Sequence, residues 1–136
     1  MIINNAGIAL FYHNFINNEK RDDHQSLASY FDIICRFTKH NFKESLRILT
    51  LDSFLFYFYT HRSNYHLVLK CDNKRLNKDL FENIAKTIID NFLNEYEALL
   101  KQFHGEISSF NSFSQIVKNI IALKLGDLKD IIPLEH

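Results

Sequence analysis

The chain has 136 residues, 46% hydrophobic and 24% charged, which suits one folded domain and leaves little material for a second core. Thirteen Phe and six Tyr supply enough apolar surface to exclude a disordered chain. Sixteen basic residues balance sixteen acidic ones, so the basic excess expected of a phosphate-neutralising nucleic-acid binder is missing.

The first apolar stretch, Met1-Ile2-Ile3, is broken by Asn4-Asn5 and shows no cationic leader pattern. The Asn4 to Gly7 cluster reads as a hairpin turn, joining a short strand that ends at Ile2-Ile3 to a second strand over Ile8 to Asn14. Asn17 to Asp23 is polar and reads as a loop. Leu27, Tyr30, Phe31, Ile34 and Phe37 then recur at helical spacing and define the inner face of a first helix. Asp22 or Asp23 can cap its start. Arg36, Lys39 and His40 crowd its end, where cations complement the negative pole, and Asn41 suits a left-handed exit.

Three strands follow: Ser45 to Leu51, Phe54 to His61, and Tyr65 to Asp72. Phe54, Phe56 and Phe58 share one face of the middle strand, and Leu55, Tyr57 and Tyr59 share the other. Both faces are apolar, which calls for helices on both sides of the sheet. A long helix is predicted over Asn77 to His104, with Phe81, Ile84, Ile88, Phe92, Tyr96, Leu99 and Phe103 inward. Glu82–Lys86 and Glu97–Lys101 are favourable pairs on its wet face, and Lys101, His104 and Gly105 form its stop signal. A last helix begins near Ser112, where Gln115 completes a capping box, and buries Phe113, Ile116, Val117, Ile120 and Ile121 before Gly126 ends it. The fold expected is α+β: a three-layer α/β/α sandwich of order β-β-α-β-β-β-α-α. One helix covers one face of a five-stranded, antiparallel-type sheet, and two cover the other.

Catalytic signatures are missing from the sequence. Three scattered glycines cannot make a phosphate loop, and there is no Gly-x-Ser-x-Gly elbow. Cys35 and Cys71 form no CxxC pair and read as inert, buried thiols of a reducing compartment. His61 and His66 flank a turn and read as solvent-facing; too few ligands lie nearby for a metal. No catalytic, cofactor-binding or metal-ligating residue is assigned. The cations Arg36, Lys39, Lys43 and Arg47 are opposed in sequence only by Glu44. They suit anionic lipid headgroups or an acidic partner, although helix-end complementation explains them better. Tyr12, Tyr57, Tyr59 and Tyr65 could stack RNA bases, but core packing accounts for them better. No apolar run reaches the ~18 residues of a membrane helix, so the expected location is cytoplasmic. Leu134-Glu135-His136 looks like an expression-tag remnant.

The element order, together with Asn4-Asn5-Ala6-Gly7-Ile8-Ala9-Leu10-Phe11, Leu27 to Phe37, Phe54 to Tyr59, Leu67-Val68-Leu69 and the Phe103 to Phe113 link, resembles the longin domain. The resemblance spans residues 1–123 and leaves 124–133 as a short tail. A related roadblock arrangement is a neighbouring reading. The resemblance implies a non-enzymatic module of membrane-traffic machinery that docks small GTPases, coat subunits or SNARE segments, or pairs with a second longin or roadblock domain. Lys124 to Pro133 is too short for the heptad segment of a longin SNARE. A leaning toward Asn, Ile, Lys and Phe suggests an AT-rich genome and fits a prokaryotic or archaeal stand-alone version. The groove expected to hold a partner lies between the first helix and the adjacent edge strand, lined by Ile33, Phe37, Phe42, Leu46 and Ile48. The other reading of these residues is that they complete the core. Peripheral membrane association and homodimerisation through an exposed edge strand fit the same module. The competing function is a PAS-like small-ligand sensor, which would keep one sheet face open as a pocket.

Overall fold

A side-chain amide organises the first turn. In a computed structural model that describes residues 1–14, 23–72 and 78–125, Asn4 Oδ1 accepts hydrogen bonds from the N–H groups of Ala6 and Ile8 at 3.0 and 2.9 Å. Gly7 completes the turn at φ +78°, where a side chain is disfavoured. The turn joins β1 (Ile2–Ile3) to β2 (Ala9–Phe11), the latter shorter than the expected Ile8 to Asn14. There follow α1 (His24–Phe42), β3 (Ile48–Thr50), β4 (Phe54–Thr60) and β5 (His66–Asp72). The chain continues with α2 (Lys78–Glu95), α3 (Glu97–Lys101), a 3₁₀ turn (Ile107–Phe110) and α4 (Phe113–Leu125). The expected loop from Asn17 lies, up to residue 22, outside the described residues, as do Asn77 and Gly126.

The five strands form one antiparallel sheet in the order β2-β1-β5-β4-β3. The first strand therefore sits beside the last, with Ile3 opposite His66. Helix α1 carries the chain from one edge strand to the other. The two-sided apolarity of β4 has the predicted consequence. Leu55 and Tyr57 enter a core with Phe81, Ile84, Ile88 and Phe92 of α2 and Phe113, Val117 and Ile121 of α4. Phe58, with Phe56 beside it, packs against Ala28, Phe31 and Cys35 of α1. The architecture is an α+β sandwich with helices on both faces of the sheet. No helix among the described residues is long and apolar enough to cross a membrane.

Several local expectations are corrected. Helix α1 is rotated from its predicted face: Tyr30 and Phe37 are 52% and 59% exposed, while Ala28, Phe31, Asp32 and Cys35 are buried. Small Ala28 and Cys35 let the backbone approach the sheet, so Phe31 can set its ring edge-on to Phe56 and Phe58 at 5.0 and 5.3 Å. Asp23 occupies the N-cap position without a side-chain cap bond. Lys43 rather than Asn41 makes the left-handed exit, at φ 59°, and its N–H donates to the Lys39 carbonyl. Asn41 instead donates from Nδ2 to the Phe37 carbonyl.

The expected single helix up to His104 breaks at Tyr96. The Tyr96 ring packs on Phe92 and Phe110 at 5.1 and 5.0 Å, and its hydroxyl lies 2.9 Å from Ser112 Oγ. These contacts hold Tyr96 at φ −112°, outside helical geometry. Leu99, beyond the break, is exposed rather than inward. Ser112 is thereby committed to Tyr96, and Gln115 donates to Asn119, so the predicted capping box does not form. The Glu97–Lys101 pair stands at 3.3 Å, whereas Glu82 pairs with Arg47 instead of Lys86.

Candidate functional site

Three segments enclose a cleft of about 400 Å³ on the α1 side of the sheet. The C-terminal half of α1 contributes Cys35, Arg36, Lys39 and His40. The α1–β3 connection contributes Ser45 and Leu46, and the β4–β5 turn region contributes Thr60, Asn64 and His66.

A hydrogen-bonded chain runs along this cleft. Thr60 Oγ1 is 2.9 Å from His66 Nδ1, and His66 Nε2 is 3.1 Å from Asp32 Oδ1. Arg36 Nε donates to Asp32 Oδ2 at 2.9 Å, and an Arg36 Nη donates to the Asn5 carbonyl. His66 is 4% exposed and Asp32 8%. A carboxylate accepts only, so Nε2 of His66 carries the proton and Nδ1 accepts from the Thr60 hydroxyl. Burial lowers the His66 pKa below its usual 6.5. The hydrogen bond and charge of Asp32 oppose that shift, and Arg36 reinforces it. The imidazole is therefore neutral at pH 7. Gly7 closes over the carboxylate: a Cβ there would stand 3.1 Å from Asp32 Oδ2.

Asp32, His66 and Thr60 are the residues that the sequence did not reveal. His66 was expected at the surface near His61; it is buried beneath α1. His61 turns away from it, with Nδ1 2.6 Å from Ser63 Oγ and Nε2 3.9 Å from Asp90 of α2. A signal was nevertheless present. Asp32 falls between Phe31 and Cys35, four residues after Ala28 and four before Arg36. An acid on that stripe needs a polar partner in the sheet.

The predicted basic residues divide. Arg36 and Lys39 line the cleft. Lys43 donates from Nζ to the His40 carbonyl at 2.8 Å, completing the helix end, and Arg47 pairs with Glu82 of α2. The predicted groove residues also divide. Ile33 and Phe42 are 64% and 66% exposed, Phe37 lies beside Phe42 at 6.4 Å between ring centroids, and Ile48 sits on the outermost strand. Leu46 packs against the α1-side core and is the one of the five that lines the cleft. Of the tyrosines weighed as a stacking platform, Tyr57 instead stacks on buried Phe81 at 4.7 Å, and Tyr59 and Tyr65 pack on the same core. Tyr12 stacks on His24.

Both cysteines are buried and form no disulfide. Burial, aided by the charge of Asp32, pushes the Cys35 thiol up to about 12, which keeps it protonated and non-nucleophilic. No group of three His, Cys, Asp or Glu side chains suited to a metal occurs among the described residues. No family model matches the sequence, and no curated protein matches it.

Proposed function

We propose that the chain is a longin-like, non-enzymatic interaction module that docks a protein partner, a small GTPase or a second longin or roadblock domain, on the outward face of α1. The observation that carries this reading is the apolar strip of Tyr30, Ile33, Phe37 and Phe42. All four are more than half exposed on a helix whose opposite side is already packed on the sheet. A contiguous exposed apolar strip is unfavourable in water unless it is covered by a partner.

The Thr60–His66–Asp32 chain follows the hydroxyl–imidazole–carboxylate order of a proton relay. Here the carboxylate also neutralises Arg36, which weakens its support for an imidazolium. The chain instead ties the first hairpin, α1 and β5 together, and we read it as a brace. A PAS-like sensor would keep one sheet face open for its ligand, whereas apolar cores cover both.

Ile33→Asp tests the docking face. The variant should lose capture of a small GTPase from an extract of the source cells while keeping the wild-type melting temperature. A collapse in melting temperature would assign Ile33 to the core and remove the docking face.

A further inference from the structure

The cleft offers a chemistry that docking on the apolar strip of α1 does not use. We infer that it is a binding site for a phosphomonoester dianion. Arg36 and Lys39 stand on one wall, with His40 beside them. Ser45 adds a hydroxyl and Asn64 an amide, whereas the Thr60 hydroxyl proton is already given to His66. No carboxylate lines the cleft among the described residues. The nearest one, Asp32, already accepts from Arg36 and His66. Glu44, the adjacent acid in sequence, is exposed and does not line the cleft.

Arg36 is fixed in advance. Its Nε is held by Asp32 and one Nη by the Asn5 carbonyl, so the guanidinium plane is set before a ligand arrives. Preorganisation of this kind lowers the entropic cost of binding. Three guanidinium N–H groups are not used by those two bonds, and guanidinium geometry suits phosphate oxygens. Lys39 makes no ion pair among the described residues and supplies a mobile positive charge. The carbonyl end of α1 would repel an anion, but Lys43 takes up the carbonyls of Lys39 and His40 and offsets that pole.

The Lys39 ammonium, the remaining N–H groups of Arg36 (whose charge Asp32 offsets), the Ser45 hydroxyl and the Asn64 amide supply donors for the three terminal oxygens of a phosphomonoester. The volume of about 400 Å³ falls within the roughly 300–1,000 Å³ of small-ligand sites. The same group could arrive on a free metabolite or on a lipid headgroup. This inference is independent of the docking reading above.

The test is a ¹⁵N–¹H NMR titration of the full chain with inorganic phosphate at pH 7.5, with ionic strength held constant by sodium chloride. Saturable shifts should concentrate at Lys39, His40, Ser45 and Asn64. Lys39→Ala should weaken the apparent affinity about tenfold, the equivalent of about 1.4 kcal/mol. Ser45→Ala should weaken it less, and Lys86→Ala on α2 should leave it unchanged. Co-sedimentation with phosphatidic acid vesicles separates the sources: Lys39-dependent sedimentation assigns the headgroup, and saturable phosphate binding without sedimentation assigns a free metabolite. Shifts that fail to saturate, spread evenly over basic residues, or ignore both Lys39→Ala and Ser45→Ala would overturn the assignment.

Discussion

Replacing Asp32 with Leu removes the one acceptor shared by His66 and Arg36 and keeps the branched heavy-atom shape, with methyl groups bulkier than the carboxylate oxygens. Two terms set the cost. The His66 Nε2–H is left buried without a partner, which costs about 1–3 kcal/mol. The ion pair with Arg36 is lost as well, but half of that arginine side chain is in solvent, so it adds no more than about 1 kcal/mol. The sum is about 1–4 kcal/mol. For a chain of this size that is a fall of up to roughly 10 °C in melting temperature. The informative comparison is the double variant Asp32→Leu/His66→Leu, in which both buried partners become apolar and no buried donor is orphaned. Thr60 is exposed and can turn its hydroxyl to water. Urea unfolding followed by circular dichroism should therefore place the double variant at least about 1 kcal/mol above the sum of the two single losses. Strict additivity, or a single-variant loss below about 0.5 kcal/mol, would show that the Asp32–His66 contact does not brace the fold.

Three further outcomes follow from the same geometry. Because the pKa of folded His66 lies below 6.5, the unfolded chain binds more protons as the pH falls; this contribution is complete above pH 6.5 and is lost below it, by at most about 1.4 kcal/mol per pH unit. His66→Gln should flatten the decline in melting temperature between pH 7 and 5; His13, pushed down by burial and by Lys118, retains part of the slope. Gly7→Ala should cost about 1–3 kcal/mol in urea unfolding, since it combines a left-handed backbone penalty with crowding against Asp32. Gly105→Ala, with φ +97° but open space around it, should cost less. Iodoacetamide at pH 8 should leave Cys35 unmodified in the native protein and label it only in denaturant, as read by intact-mass spectrometry.

The sheet was legible because its information is local. Six consecutive aromatic and aliphatic residues in Phe54 to Tyr59 can satisfy both faces of one strand only if both faces are covered. The rotation of α1 was not legible from apolar spacing. Tyr30 and Phe37 fit a helical stripe as well as Ala28 and Cys35 do, and small residues near the sheet decide the outcome through close packing rather than hydrophobicity. The break at Tyr96 was hidden because its ring keeps helical spacing while its contacts to Phe110 and Ser112 come from beyond the helix. The cleft was hidden for a similar reason: Asp32 and His66 lie 34 residues apart in the chain. Their meeting depends on β1 pairing with β5 and on α1 lying across that pair.

We propose that this fold grips a protein partner through the outer face of α1. Immobilised wild-type chain and its Ile33→Asp variant, exposed to purified small GTPases loaded with GDP or with a non-hydrolysable GTP analogue, test it directly. The account predicts saturable retention of a GTPase by the wild type, stronger in one nucleotide state and lost in the variant. Equal retention by both chains, or none by either, would contradict it.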